Sequence, residues 1–264
     1  MKSKIIELQN LSIGYKSKNQ TNFVARQLHS TIYSGELTCL LGANGVGKST
    51  LLRTLSCFQP KLDGKVFIQG KEIETYTNKE LSKTIGVVLT EKVDVRDMTT
   101  SELIGMGRSP HTGFWGKLNK EDEKIIKEAI SLVKIEKLAN RPVQTLSDGE
   151  RQKAMIAKAL AQETPVIFLD EPTAFLDFPS KVEIMKILHN LSRQTNKTIF
   201  LSTHDLELAL QTADKLWLMS KERGLVTGTP SELIENRSLE FFFQCDDVIF
   251  DQDIGLFRIN KQNF

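Results

Sequence analysis

Residues 42–49, Gly-Ala-Asn-Gly-Val-Gly-Lys-Ser, follow an apolar run at 37–42 and open a helical pattern from 48. They fit the spacing G-x-x-x-x-G-K-[ST], which a chain can use in few ways. Phosphate oxygens need many donors at close range. Glycines let backbone N–H groups converge without Cβ clashes, and a helix start adds a favourable dipole. The pattern therefore predicts a strand, a phosphate-cradling loop and a helix. Gly42, Asn44, Gly45 and Gly47 shape the cradle, Lys48 is placed to reach β- and γ-phosphates, and Ser49 Oγ to ligate Mg²⁺.

The rest of the chain alternates in the same way. Short apolar runs rich in β-branched residues, at 4–9, 37–42, 65–70, 85–90, 166–171, 198–203 and 215–220, read as strands. Helical patterns occupy 48–57, 120–138, 148–162, 179–194 and 205–212. Runs such as 166–169 are apolar throughout, as expected for strands covered on both faces. In 120–138, Ile125, Ile126, Ala129, Ile130 and Val133 form one stripe with charges opposite. Pro179 suits a first helical turn, where its missing N–H costs nothing. Strands alternating with helices predict a largely parallel α/β sheet. Residues 1–40 and 65–75 read as hairpin-like strands. Residues 91–164 read as a helical insertion, and the tail from 237, with Phe241, Phe242 and Phe243, as packing.

Composition excludes several classes. With 264 residues, 40% of them hydrophobic, and a formal net charge of +2, the chain can bury a substantial core and is not of the disordered kind. No apolar run approaches the roughly 18 residues of a membrane-spanning helix. The first ten residues lack the apolar run of a secretory signal. Cys39, Cys57 and Cys245 match no zinc spacing and suit a reducing compartment, so a cytoplasmic location is expected. A charge near zero gives no argument for nucleic acid.

The run 166–171 ends in two carboxylates, Asp170 and Glu171. Beside a phosphate loop they gain meaning, because the two strands can lie adjacent and put Asp170 near the metal held by Ser49. Glu171 is then placed to polarise or deprotonate an attacking water. His204, at the end of run 198–203, can contact the γ-phosphate or orient that water.

In combination, GANGVGKST (42–50), LSDGERQ (146–152), VIFLDEP (166–172), AFLD (174–177) and His204 resemble the nucleotide-binding subunit of ABC transporters over about residues 4–235. The resemblance implies a P-loop NTPase of the ABC-ATPase fold: a mainly parallel sheet core, an antiparallel β subdomain and a helical subdomain at about 91–164, all in one ATP-binding domain spanning 1–264 with a C-terminal extension from about 237. It implies that Lys48, Ser49, Thr50 and the loop hold ATP and Mg²⁺ together with Asp170. Glu171 is then the catalytic base, His204 the γ-phosphate contact, Tyr15 the aromatic that stacks on adenine, and Asp177 a residue at a dimer interface. A head-to-tail homodimer is implied, with ATP between the phosphate loop of one copy and Ser147 and Gly149 of the other. Residues 146–149 precede a helical pattern, so Ser147 and nearby N–H groups can form an anion-binding helix start.

Two departures stand out. Asp148 and Glu150 replace a glycine and a glutamine of the usual signature, and Asp148 is expected to point away from nucleotide. After the run 85–90 the usual glutamine is missing, and Thr90 or Glu91 must replace it or the contact is absent. The stretch 107–116, followed by Lys117 to Asp122, resembles importers of iron–siderophore, haem and cobalamin chelates. There it implies a permease-docking surface, with Phe114 and Trp115 as part of the patch or of a small satellite core. The expected assembly is two ATPase subunits at the cytoplasmic side of the inner membrane, bound to permease subunits and served indirectly by a substrate-binding protein, with no nucleic acid. The competing readings are a soluble mechanical ATPase and a non-hydrolysing nucleotide-binding module.

Overall fold

The computed structural model describes residues 2–18, 20–89, 97–113, 116–243, 248–251 and 256–259. It comprises two compact units, residues 1–73 with 202–264, and residues 74–201.

The first unit opens with two long strands, β1 (Lys4–Lys16) and β2 (Thr21–Tyr33), paired antiparallel with Leu8 opposite Ser30 and Tyr15 opposite Asn22. The apolar residues of β1 change phase: Ile6 and Leu8 are buried, then Leu11 and Ile13. Strict alternation would turn the second pair outward. The register shifts between Leu8 and Leu11, and Asn10 takes a φ of 52°, so a bulge returns both pairs to the core. β3 (Leu37–Leu41) is buried at every position and leads to α1 (Lys48–Leu55). β4 (Asp63–Ile68) and β5 (Lys71–Glu72) complete a four-stranded sheet in the order β2-β1-β4-β5.

The second unit begins with α2 (Asn78–Thr84) and β6 (Ile85–Val88). α3 (Thr100–Gly105), α4 (Lys120–Leu132) and α5 (Asp148–Ala161) follow. Then come β7 (Val166–Asp170), α6 (Phe178–Thr195) and β8 (Thr198–Ser202), which ends at the boundary between the units. β6 and β7 are parallel, with Val88 opposite Leu169. The stripe expected in 120–138 buries Ile126, Ala129, Ile130 and Val133, but the α-helix stops at Leu132 because Lys134 takes a left-handed φ of 59°.

The chain returns to the first unit with α7 (Leu206–Thr212), β9 (Lys215–Ser220) and β10 (Gly224–Gly228). β9 lies parallel to β3 and antiparallel to β10. α8 (Pro230–Glu235), α9 (Ser238–Phe243) and the hairpin β11 (Val248–Asp251) and β12 (Leu256–Ile259) end the described chain. There Phe257 meets Phe243 and Phe250 at ring-centroid distances of 6.0 Å and 4.8 Å, so these aromatics pack together.

β7 has β6 on one side and β8 on the other. The strand that leads into the phosphate loop is therefore not its neighbour, which corrects the expectation of adjacency. β8 is buried at every position and apolar at Ile199, Phe200 and Leu201, as suits a strand covered on both faces.

Candidate functional site

Six of the helix starts, those of α2 to α5, α6 and α8, are capped by their own side chains. α1 has no side-chain cap. Its first N–H groups follow a loop whose geometry only glycine allows. Gly47, with φ 115°, precedes the helix, and a Cβ there would lie 2.3 Å from Val24 Cγ1 of β2. A Cβ on Gly42 would lie 2.4 Å from the backbone oxygen of Met219 in β9, where neither partner can yield. The loop is thus walled by β2 and β9 within its own unit. Asn44, Gly45 and Ser49 are exposed.

Lys48 is buried, and its Nζ donates to Gly42 O at 2.8 Å and Ala43 O at 3.3 Å. The ammonium is therefore held against the loop, where such a charge can complete a cradle for an anion. Thr50 is buried, with its Oγ1 2.9 Å from Tyr15 Oη. This bond anchors the phenol beside α1 while more than half of Tyr15 stays exposed, leaving a ring face for a flat aromatic partner. Neither residue's spacing in the sequence announces that bond. Thr203 N donates to Leu40 O at 3.0 Å, which ties the chain after β8 to the end of β3. The next residue, His204, is exposed beside the phosphate loop's own strand.

In the second unit Asp170 ends β7 with 8% exposure. Glu171 follows with a left-handed φ of 46°, and its carbonyl accepts from Ala174 N at 3.0 Å. A carboxylate residue held in this conformation is strained, and such strain concentrates where a side chain must be aimed. Ser147 caps α5: its Oγ accepts from Glu150 N at 3.3 Å, and Glu150 Oε2 accepts from Ser147 N at 2.9 Å. Glu150, one of the two departures from the signature, thus closes a capping box. The N–H of Ser147, with Ser147's hydroxyl and nearby cations, holds the Glu150 carboxyl below the usual range. The S-x-x-E spacing that signals this role is visible in the sequence, where Ser147 is expected only as an anion-binding helix start. Asp148 is exposed in the first turn of α5, where a negative charge suits the dipole. A Cβ on Gly149 would come within 3.3 Å of Ser180 Oγ, so α5 and α6 approach closely there.

Asp177 caps α6 by accepting from Ser180 N at 3.1 Å, and hydrogen bonds from Ser180 hold its carboxyl below the usual range. It is flanked by Phe175 and Phe178, which are 82% and 67% exposed. Thr90, Glu91, Phe114 and Trp115 lie outside the described residues.

The first unit thus brings together Tyr15, Gly42, Asn44, Gly45, Gly47, Lys48, Ser49, Thr50 and His204, and the second carries Ser147, Gly149, Asp170, Glu171 and Asp177. Among the described residues no group of three or more His, Cys, Asp or Glu side chains is arranged to hold a metal. The Ser49 hydroxyl in the first unit and the Asp170 carboxylate in the second are each oxygen donors of the kind Mg²⁺ accepts. No helix among the described residues is long and apolar enough to cross a membrane.

Residues 25–174 match a family model described as ABC transporter. The ferric enterobactin transport ATP-binding protein FepC of Escherichia coli (strain K12) is 35% identical over 247 residues, 94% of this chain and 90% of its own length. The petrobactin import ATP-binding protein FpuC of Bacillus anthracis is 36% identical over 228 residues, 86% of this chain and 84% of its own. A dimeric post-hydrolysis structure of the ATP-binding cassette MJ0796, bound to ADP and Pi, aligns with a TM-score of 0.73 at 25% identity, covering 86% of this chain and 99% of that one.

Proposed function

The chain belongs to the ABC transporter family of ATP-binding, ATP-hydrolysing subunits, and from that premise we propose that it energises uptake of an iron chelate of the siderophore class. Its similarity to FepC and FpuC, over most of each chain, carries the choice of cargo. Haem and cobalamin are the neighbouring cargo classes.

In this reading Tyr15 stacks on adenine, Thr50 steadies Tyr15, and the loop N–H groups with Lys48 hold the phosphates. Ser49 and Asp170 would hold Mg²⁺, which would supply positive charge against the phosphates. Glu171 takes a proton from the water that attacks the γ-phosphorus, as the bond to the ADP oxygen breaks. His204 donates to the γ-phosphate and lowers the cost of charge spreading over its oxygens. Ser147 and Gly149 meet the nucleotide of a second copy. The exposed Phe175 and Phe178 beside Asp177 support an interface there, because apolar side chains so open to water favour cover by another protein surface. Two copies then act as a homodimer on permease subunits at the cytoplasmic face of the membrane, through residues 107–116.

The test is capture from detergent-solubilised native membranes with Glu171→Gln as bait, a variant expected to bind ATP and stall in the closed dimer. Co-purification of a polytopic permease, with a substrate protein carrying a chelate, is the expected result. Recovery of ribosomes, DNA or soluble proteins alone would overturn the importer reading. ATP binding without turnover by the native protein in the presence of its permease would point to a non-hydrolysing module.

A further inference from the structure

Ser147 stands at one end of α5, and the opposite end of the same helix is gripped. The backbone at Gly107 lies on the last turn, where a Cβ would come 2.2 Å from Lys158 O. Arg108, 4% exposed, donates from Nη1 to Ala161 O at 2.7 Å and to Glu163 Oε2 at 2.7 Å. Its Nε donates to Asp122 Oδ1 at 2.9 Å. His111, on the surface, places Nε2 2.9 Å from Gln162 O. The carbonyls of a helix's last turn have no partner within the helix, and cationic donors there also match its dipole. One short segment, 107–111, thus satisfies two successive carbonyls at the end of α5 and cross-links them to the first turn of α4. Beyond the grip, Glu163 turns the chain at φ 56°, and Lys197 Nζ donates to Thr164 O at 2.7 Å just before β7.

We propose that Arg108 and His111 are positioning residues that set the lengthwise and rotational placement of α5, and through it the placement of Ser147 against ATP bound by a second copy. A helix of 14 residues spans about 21 Å and moves as a rod, so a change imposed on 107–111 is delivered at Ser147. The segment that grips α5 belongs to the stretch assigned above to the permease. Permease contact and nucleotide contact then share one rigid element, whose two ends they occupy. This inference rests on the two-copy reading of the nucleotide site.

The experiment uses the full chain in the Glu171→Gln background and measures ATP-dependent dimerisation by light scattering across ATP concentrations. Binding of a fluorescent ATP analogue is measured in parallel at dilutions where the protein is monomeric. Loss of the charge-assisted bond in Arg108→Gln is expected to raise the ATP midpoint of dimerisation about tenfold, and loss of the weaker one in His111→Ala about threefold. Arg108→Lys, which keeps a donor, is expected to fall between parent and Arg108→Gln. Affinity for the fluorescent nucleotide should stay within about twofold in all of them, because the phosphate loop is intact. Asp122→Asn, which loosens Arg108 without removing its bond to Ala161, should lower thermal stability and leave the midpoint in place. His111 is exposed, so His111→Ala keeps the test alive if Arg108→Gln does not fold. Midpoints that match the parent, or that follow thermal stability across the whole set, would reduce the grip to ordinary packing and overturn the proposal. A parent that stays monomeric at every ATP concentration would sink the two-copy reading, and the proposal with it.

Discussion

Cys57 holds a conformation that its side chain resists. It follows α1 with φ 62°; Phe58 N donates to Arg53 O at 2.9 Å and Cys57 N to Thr54 O at 3.2 Å. These two bonds make a Schellman ending, in which the left-handed position is normally glycine. The left-handed conformation costs a side-chain-bearing residue about 1–2 kcal/mol, while glycine gives back about 0.5–1 through the freer unfolded chain. Cys57→Gly is therefore expected to stabilise the protein by about 0.5–1 kcal/mol, seen as a rise in the denaturation midpoint at unchanged slope. No change, or a loss, would show that the exposed thiol makes a contact worth as much as the strain. The reverse logic holds at Gly47, where left-handed backbone and the methyls of Val24 both exclude a Cβ. Gly47→Ala is expected to abolish nucleotide binding, measured by fluorescent-analogue titration.

At the scale of elements, α5 and α4 share the same device at their first turns, and each gives a measurement. Ser147→Ala removes the cap of α5 and is expected to cost about 1 kcal/mol, whereas Glu150→Gln keeps a side chain able to reach back and should stay within about 0.5 kcal/mol. In α4 the N–H of Asn119, then Arg108, hold the Asp122 carboxyl below its usual range. A carboxyl depressed on folding adds stability that is whole above its unfolded value, about pH 4, and is lost as pH falls through the lower folded value. Asp122→Asn should thus lower the melting temperature by about 5 °C near pH 7, and the gap from the parent should narrow as the pH falls below about 4. A gap constant with pH would mean that the charge of Asp122 is not what matters. The same elements explain what the sequence made legible. β7 and β8 are buried at every position and apolar through their centres, so their runs stand out, and the glycine spacing of 42–47 could serve few folds. β2, by contrast, buries Leu28 and Ile32 but leaves Thr21, Asn22 and Phe23 exposed, so its run is mixed and merges into a hairpin-like stretch. α2, α3 and α8 are too short for periodicity to show, yet each begins with threonine and glutamate three residues apart, closing a capping box. That signal was present and is local. The place of β8 beside β7, and the grip of Arg108 on α5, arise from residues far apart in the chain, which no local pattern reports.

At the scale of the whole molecule, each chain carries one phosphate loop and one Ser147 segment, so the two-copy reading makes a prediction that no single-chain site shares. Lys48→Ala disables a chain's own loop but leaves its Ser147 end intact. Ser147→Arg leaves the loop intact but blocks what that chain offers a partner. Each variant alone is expected to be inactive. In a head-to-tail dimer of the two, the loop of the Ser147→Arg chain faces the Ser147 segment of the Lys48→Ala chain, and one complete site is rebuilt. The opposite site then carries both defects. Random pairing of equal amounts makes about half of the dimers mixed, each with one of two sites whole, so ATPase activity should recover to about a quarter of the native value. The measurement is steady-state phosphate release against the mixing ratio at constant total protein, with a maximum at equal parts. Activity that stays at the level of either variant across all ratios would mean that both sites must fire together or that the second copy contributes nothing. The dimerisation midpoints of the Glu171→Gln series separate those two outcomes, since a silent second copy would leave ATP without effect on association.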